Sequence, residues 1–113
     1  MDGLALTRGD IVVIAMRGPY TGKPRPALIV QSDLFNATHS SITICPITSD
    51  VVDAPLFRIN IPPGDRTGLR VASQAMVDKV VSVSRASASR TVGRLSLEEM
   101  SNLEDALRTW LTL

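Results

Sequence analysis

Residues 17–31 read RGPYTGKPRPALIVQ: a turn built from glycine and proline that runs directly into the short apolar run 26–31. Gly18, Pro19, Gly22 and Pro24 supply the backbone angles of a connection. The β-branched and aliphatic residues after Pro26 make a run too short for a stable helix, and it reads as a strand. Between the two halves stands Arg25, with Pro24 and Pro26 on either side. Each proline fixes its own φ and pushes the residue before it toward extended geometry, so this arginine is held stiffly at the mouth of a strand.

The same alternation of turn and short strand extends in both directions. DIVVIAM begins at Asp10, SITICPIT at Ser41, LFRINI at Leu56, LRVASQA at Leu69, KVVSVS at Lys79 and RTVGRL at Arg90. Most are rich in Val and Ile, and all are strand-sized. PPGDRTG, residues 62–68, is a second turn-rich connection, and SDLFNATHSS, residues 32–41, breaks the pattern with room for a single helical turn. Several short strands at close spacing imply a small barrel or sandwich. The C-terminal part changes period. Ser96 and Glu99 have capping-box spacing, Leu95 and Met100 are placed as the hydrophobic staple around that cap, and Met100, Leu103, Ala106, Leu107, Trp110 and Leu111 form one stripe at helical spacing. A helix of about four turns lying across the sheet is expected, with Trp110 in the core or at a contact between copies. The fold class is therefore mainly β with a C-terminal α-helix.

A chain of 113 residues, with 44% hydrophobic and 20% charged residues, reads as one globular domain over residues 1–113. No apolar run approaches the length needed to cross a bilayer, and the first residues lack the pattern of a signal peptide. With a single cysteine, Cys45, no intramolecular disulfide can form, and a cytoplasmic location is expected. Cys45 lies in an apolar strand and reads as a small core residue. The net charge is only +1, but it is unevenly distributed. Arg66, Arg70, Lys79, Arg85, Arg90 and Arg94 face only Asp78 within their stretch of chain, whereas Glu98, Glu99, Glu104 and Asp105 dominate the tail. This distribution fits either a mixed solvated surface or a basic face turned toward a polyanion.

One histidine, His39, and one cysteine, with no clustered carboxylates, do not make a zinc or two-metal site, so no metal or cofactor is expected. Neither a nucleophile elbow nor a second histidine is present for a hydrolase triad or a two-histidine ribonuclease. Rigid arginines, hydroxyls and Asp78 remain. That set suits cleavage of RNA, which carries its own nucleophile in the 2′-OH and needs only orientation, charge stabilisation and proton movement. A pre-set guanidinium is a planar fork of donors matched to phosphate oxygens. Arg25 meets that description. Thr48 is the second candidate, read equally well as a phosphate donor or as a turn cap ahead of Asp50. Arg17, Tyr20 and Lys23 combine charge with one aromatic ring, as single-stranded RNA binders do, and equally suit a plain hairpin connection.

RGDIVVI from Arg8, GKPRPALIVQSD from Gly22, ITICPITSD from Ile42 and SQAMVDKV from Ser73 resemble, in order, the signatures of the MazF/PemK/Kid toxin family. The resemblance implies an SH3-like β-barrel of the CcdB/PemK kind, a homodimer, and metal-independent, sequence-specific cleavage of single-stranded mRNA through 2′-OH attack. It further implies neutralisation by a cognate antitoxin. It puts the essential arginine and threonine on Arg25 and Thr48, with Gly9 serving backbone geometry at the start of the first strand. Gln74 and Asp78 fall in the last motif, Asp78 as a supporting catalytic carboxylate and Gln74, with Arg70, as RNA contacts. Related sequences often carry a cation where this chain has Met76. The alternatives are a gyrase poison like CcdB, which needs a C-terminal Trp-Gly-Ile tail where this chain reads TWLTL, and a non-enzymatic SH3-like module that binds nucleic acid.

Overall fold

The computed structural model describes residues 4–15 and 23–113. Its elements are β1 (Asp10–Ile14), β2 (Arg25–Ile29), α1 (Asp33–Asn36), β3 (Ser41–Thr48), β4 (Arg58–Ile61), β5 (Ser73–Met76), β6 (Val81–Ser84), β7 (Ala88–Arg94) and α2 (Leu97–Leu111). Each strand lies within or overlaps a run picked out by its Val and Ile content, and the helical turn within residues 32–41 is α1. The seven strands form one antiparallel sheet in the order β4-β5-β3-β2-β1-β7, with β6 paired to β3. β5 and β6 lie in succession along β3, separated by a 3-10 turn at Val77–Lys79. Among the described residues β4 and β7 do not pair, so the sheet curls without closing, and the expected barrel is an open one. Two β-bulges in the β1–β7 ladder bend that edge and strengthen its twist.

Strand alternation divides the interior in two. Ile11, Leu28, Cys45, Ile47, Ile59, Ala75 and Val77 face α2, whereas Val12, Ile14, Ala27, Ile29, Ile42 and Ile44 form a second cluster on the opposite face with Leu6. α2 starts as its sequence predicts. The Ser96 hydroxyl accepts from the Glu99 N–H, and the Glu99 carboxylate accepts from the Ser96 N–H. Leu95 and Met100 are both buried beside this cap. Met100, Leu103 and Ala106 carry the helix onto the sheet, but the stripe loosens toward its end: Trp110 and Leu111 are each 49% exposed. The Trp110 ring reaches Phe57 at 6.0 Å between centroids, so it covers the margin of the core instead of entering it.

Gly9 joins the helix to the sheet. Its φ of +95° is one that side-chain-bearing residues rarely adopt. In that geometry its N–H donates to the Ile29 carbonyl, while its own carbonyl accepts from the N–H of Leu95. Arg8 beside it donates from Nη1 to Glu104 on α2 at 2.8 Å and from Nε to the Val30 carbonyl. Among the described residues no helix is long and apolar enough to cross a membrane.

Candidate active site

The candidate residues lie at the margin of the face opposite α2, whose middle is the second buried cluster. Arg25 begins β2, exposed, and is the Cα partner of Ile14 on β1. β2 and β3 pair at Ala27↔Pro46, Leu28↔Cys45 and Ile29↔Ile44. Carried two residues further along both strands, that register brings Arg25 level with Thr48, and residues level across a ladder share a face. Both flank the side of the sheet that holds Ala27, Ile29 and Ile44. Proline at 26 and at 46 ends the ladder here, because neither residue has an N–H to give it.

On its other side Thr48 pairs with Gln74, and Gln74 pairs with Asn60. Arg25, Thr48, Gln74 and Asn60 thus form a polar row over four strands. The Thr48 Oγ1 accepts from the Asp50 N–H at 3.0 Å. With its acceptor side engaged, the hydroxyl retains its own hydrogen as a donor. Gln74 is buried, and its amide is fully occupied: Oε1 accepts from the Val52 N–H and from Arg58 Nη1, while Nε2 donates to the Val52 carbonyl and to Asn60 Oδ1. Gln74 therefore holds the segment after Thr48 in place and has no free group for RNA in this arrangement.

One row further along, Met76 is the Cα partner of Arg58. Met76 and Arg25 line a largely apolar cavity of about 200 Å³ with Ile14, Pro46 and Ile47. Arg58 and Asn60 were not legible as site residues from the sequence. Their only signal is the alternation in RINI, where Ile59 and Ile61 are buried and the two polar residues point to the opposite face.

The other predicted residues are placed as follows. Lys23 is exposed two positions before Arg25, and Arg70 is exposed in the connection before β5. Arg17 and Tyr20 lie outside the described residues. Asp78 is not brought to Arg25. It sits in the 3-10 turn packed against β3 and α2, with Oδ1 buried and no hydrogen-bond partner among the described residues. Its neighbour there is Cys45 on the helix side of the sheet. Burial first, and the Asp78 charge second, push the Cys45 thiol up to about 12, and the side chain is fully buried as a core residue. His39 is exposed, and its Nδ1 lies 3.3 Å from both the N–H and the hydroxyl of Ser41.

The profile of the PemK-like, MazF-like toxins of type II toxin–antitoxin systems matches residues 7–111. This chain belongs to that family. It is 49% identical over 106 residues to the probable endoribonuclease MazF of Mycolicibacterium smegmatis, covering 94% of this chain and 96% of that one. It is 30% identical to endoribonuclease MazF9 of Mycobacterium tuberculosis, over 96% of this chain and 98% of that one. Among solved structures, a mycobacterial endoribonuclease in complex with its cognate antitoxin superposes with a TM-score of 0.80 at 19% identity, over 96% of this chain and 97% of the other. Arg25 and Thr48, both within the matched range, are the two ends of a single strand-to-strand step. Arg58 stands directly across the ladder from Met76.

Proposed function

We propose that this chain is an endoribonuclease toxin that cuts single-stranded mRNA at specific sequences without a metal ion. The observation that carries this reading is the register that sets Arg25 level with Thr48. Support comes from the family membership and from relatives that bear the name endoribonuclease. In the reaction the ribose 2′-oxygen attacks the adjacent phosphorus and loses its proton, the bond to the 5′-oxygen breaks, and that oxygen takes up a proton. A 2′,3′-cyclic phosphate and a 5′-hydroxyl result. Arg25 places its guanidinium on the non-bridging oxygens, where negative charge accumulates, and Thr48 donates its hydroxyl hydrogen to the same phosphate. An arginine that stays protonated at ordinary pH serves as an electrostatic clamp and as a donor, not as a base. Asp78, on the helix side of the sheet, has no part in this step.

The same reading places the protein in the cytoplasm, as a homodimer bound and silenced by a cognate antitoxin whose acidic segment competes with RNA for the basic face. Exposed Leu34, Leu97 and Trp110 are apolar surface that a second chain would cover. A gyrase poison is not favoured: Trp110 lies within α2 and packs on Phe57, not in a free tail. The deciding experiment incubates the purified protein with long single-stranded RNA in excess chelator and maps the 5′ ends of the products. Discrete cuts with 5′-hydroxyl ends are expected, and intact RNA would end the proposal.

A further inference from the structure

Among the described residues Arg58 forms no ion pair. Its Nη1 donates to two neutral oxygens, the Asp50 carbonyl at 3.0 Å and Gln74 Oε1 at 2.9 Å. Among the described residues no carboxylate comes within ion-pairing distance of it, and its buried Nε has no hydrogen-bond partner. Elsewhere Arg8 meets Glu104 and Arg66 meets Glu99, whereas Arg85 donates to the Asn36 and Leu4 carbonyls; among the described residues only Arg58 keeps a buried guanidinium nitrogen without a partner. A half-buried guanidinium is costly to leave without an anion, and one held by two fixed acceptors is already arranged to receive it.

Its position identifies the anion. Arg58 lies across from Met76, on the same side of the sheet as the row that begins at Arg25 and two residues along β4 from Asn60, the end of that row. Three strand spacings, about 14 Å, separate the backbones of β2 and β4. The Arg58 side chain also lines a cleft of about 680 Å³ between residues 51–56, β4 and α2. Two carboxylates share that cleft, Asp53 and Asp105, and Asp105 is paired with Arg108. The two strands between β2 and β4 make an anion at Arg58 distinct from the one at Arg25, at the β4 edge of the sheet where this cleft reaches α2.

We infer that Arg58 binds a second phosphate of the RNA strand, away from the scissile one, and so fixes the direction in which RNA crosses the sheet from β2 toward β4. This inference rests on the endoribonuclease reading above. It gives a chemical role to a residue outside the sequence signatures and returns to this face the charge that Met76 lacks.

The test measures binding of a single-stranded RNA, blocked at the cut by a 2′-deoxy substitution, as a function of salt. Each phosphate contact contributes about 0.7 to the slope of log affinity against log salt on single strands. Arg58→Gln is expected to bind about tenfold more weakly and to flatten the slope by about that one contact. Arg58→Lys, which keeps the charge, is expected to restore the slope. Lys79→Gln, an exposed cation in the 3-10 turn away from that cleft, serves as the control for general charge loss and is expected to leave the slope as it is. An unchanged slope in Arg58→Gln, or the same flattening in Arg58→Lys, overturns the inference, the latter because the effect would then come from a loosened 50–52 segment and not from charge. Wild-type protein that cuts RNA while Arg58→Gln keeps the full slope refutes this site alone. Wild-type protein that neither binds nor cuts RNA refutes the function and this site together.

Discussion

Gln74 stands directly across the β3–β5 ladder from Thr48 and closes both backbone polar groups of Val52, four residues after Thr48. The hydroxyl of Thr48 is thus set by a chain of fixed contacts: Gln74 holds Val52 and Arg58, Arg58 holds the Asp50 carbonyl, and the Asp50 N–H holds Thr48 Oγ1. A donor fixed before substrate arrives needs no reorganisation when charge develops on the phosphate.

Removing Gln74 should therefore affect both stability and rate. Gln74→Ala removes four hydrogen bonds made by a buried side chain, two of them to Val52 and one to the half-buried Arg58, and we expect a loss of about 1–3 kcal/mol in denaturant unfolding. Cleavage should slow even at temperatures where the variant is fully folded. A variant with wild-type rate would show that Thr48 does not depend on this support.

Arg25 is exposed, and the side chain of Thr48 makes only a turn-capping bond, so substitutions at either should spare the fold. Arg25→Ala and Thr48→Val are each expected to lower the single-turnover cleavage rate by about 10²- to 10³-fold, the scale of losing one transition-state donor. Thermal unfolding should stay near that of the wild type. Rapid cutting by either variant would remove that residue from the mechanism.

Acid should weaken the α2 cap. The Arg66 guanidinium forks onto Glu99 at 2.7 and 3.1 Å, and with the Ser96 N–H it holds that carboxyl below the usual glutamate range, against the opposing effect of burial. A carboxyl lowered in the folded state contributes stability that is complete above its unfolded value near 4.5 and is lost as pH falls through the folded value. Glu99→Gln should be less stable than wild type at pH 7, and the gap should close as the pH drops below about 4.5. Asp10 works in the other direction. Burial raises its carboxyl despite Arg94, so its ionisation costs stability as pH rises, and Asp10→Asn should not destabilise at neutral pH.

Cys45 should be silent to alkylating reagents in the native protein. Its side chain is fully buried, and the thiol is pushed up to about 12, so almost no thiolate exists at pH 8. Mass spectrometry should find no adduct under native conditions and complete modification in denaturant. Fast native labelling would mean that the β3–Asp78 contact opens readily.

The glycine at the start of β1 is expected to resist replacement. At φ +95°, Gly9→Ala forces a strained backbone at the point where β2 and the start of α2 are tied together. A cost of about 1–3 kcal/mol should appear as a lower unfolding midpoint with unchanged denaturant slope.

Much of this protein is local and could be read from neighbours in the chain. Val and Ile runs between glycine and proline turns mark most strands, β5 with its SQAM being the weakest, Ser96 with Glu99 marks the start of α2, and the paired prolines mark Arg25 as an arginine held stiffly. These are effects of backbone sterics and of side chains within a few residues of each other, so they are written in the order of the residues themselves. The resemblance to the toxin family then selected Thr48 from among several hydroxyls.

What the order of residues did not carry is adjacency across strands. Asp78, close to Gln74 in the chain, turns to the helix side beside Cys45, because the 3-10 turn after Met76 breaks the alternation. Arg58, sixteen residues before Gln74, comes to touch it because β4 and β5 pair antiparallel, and the barrel stays open because β4 and β7 do not meet. Pairing between distant segments depends on burying both faces of the sheet at once, a balance summed over the whole chain, and only the folded structure decides which charged groups it brings together.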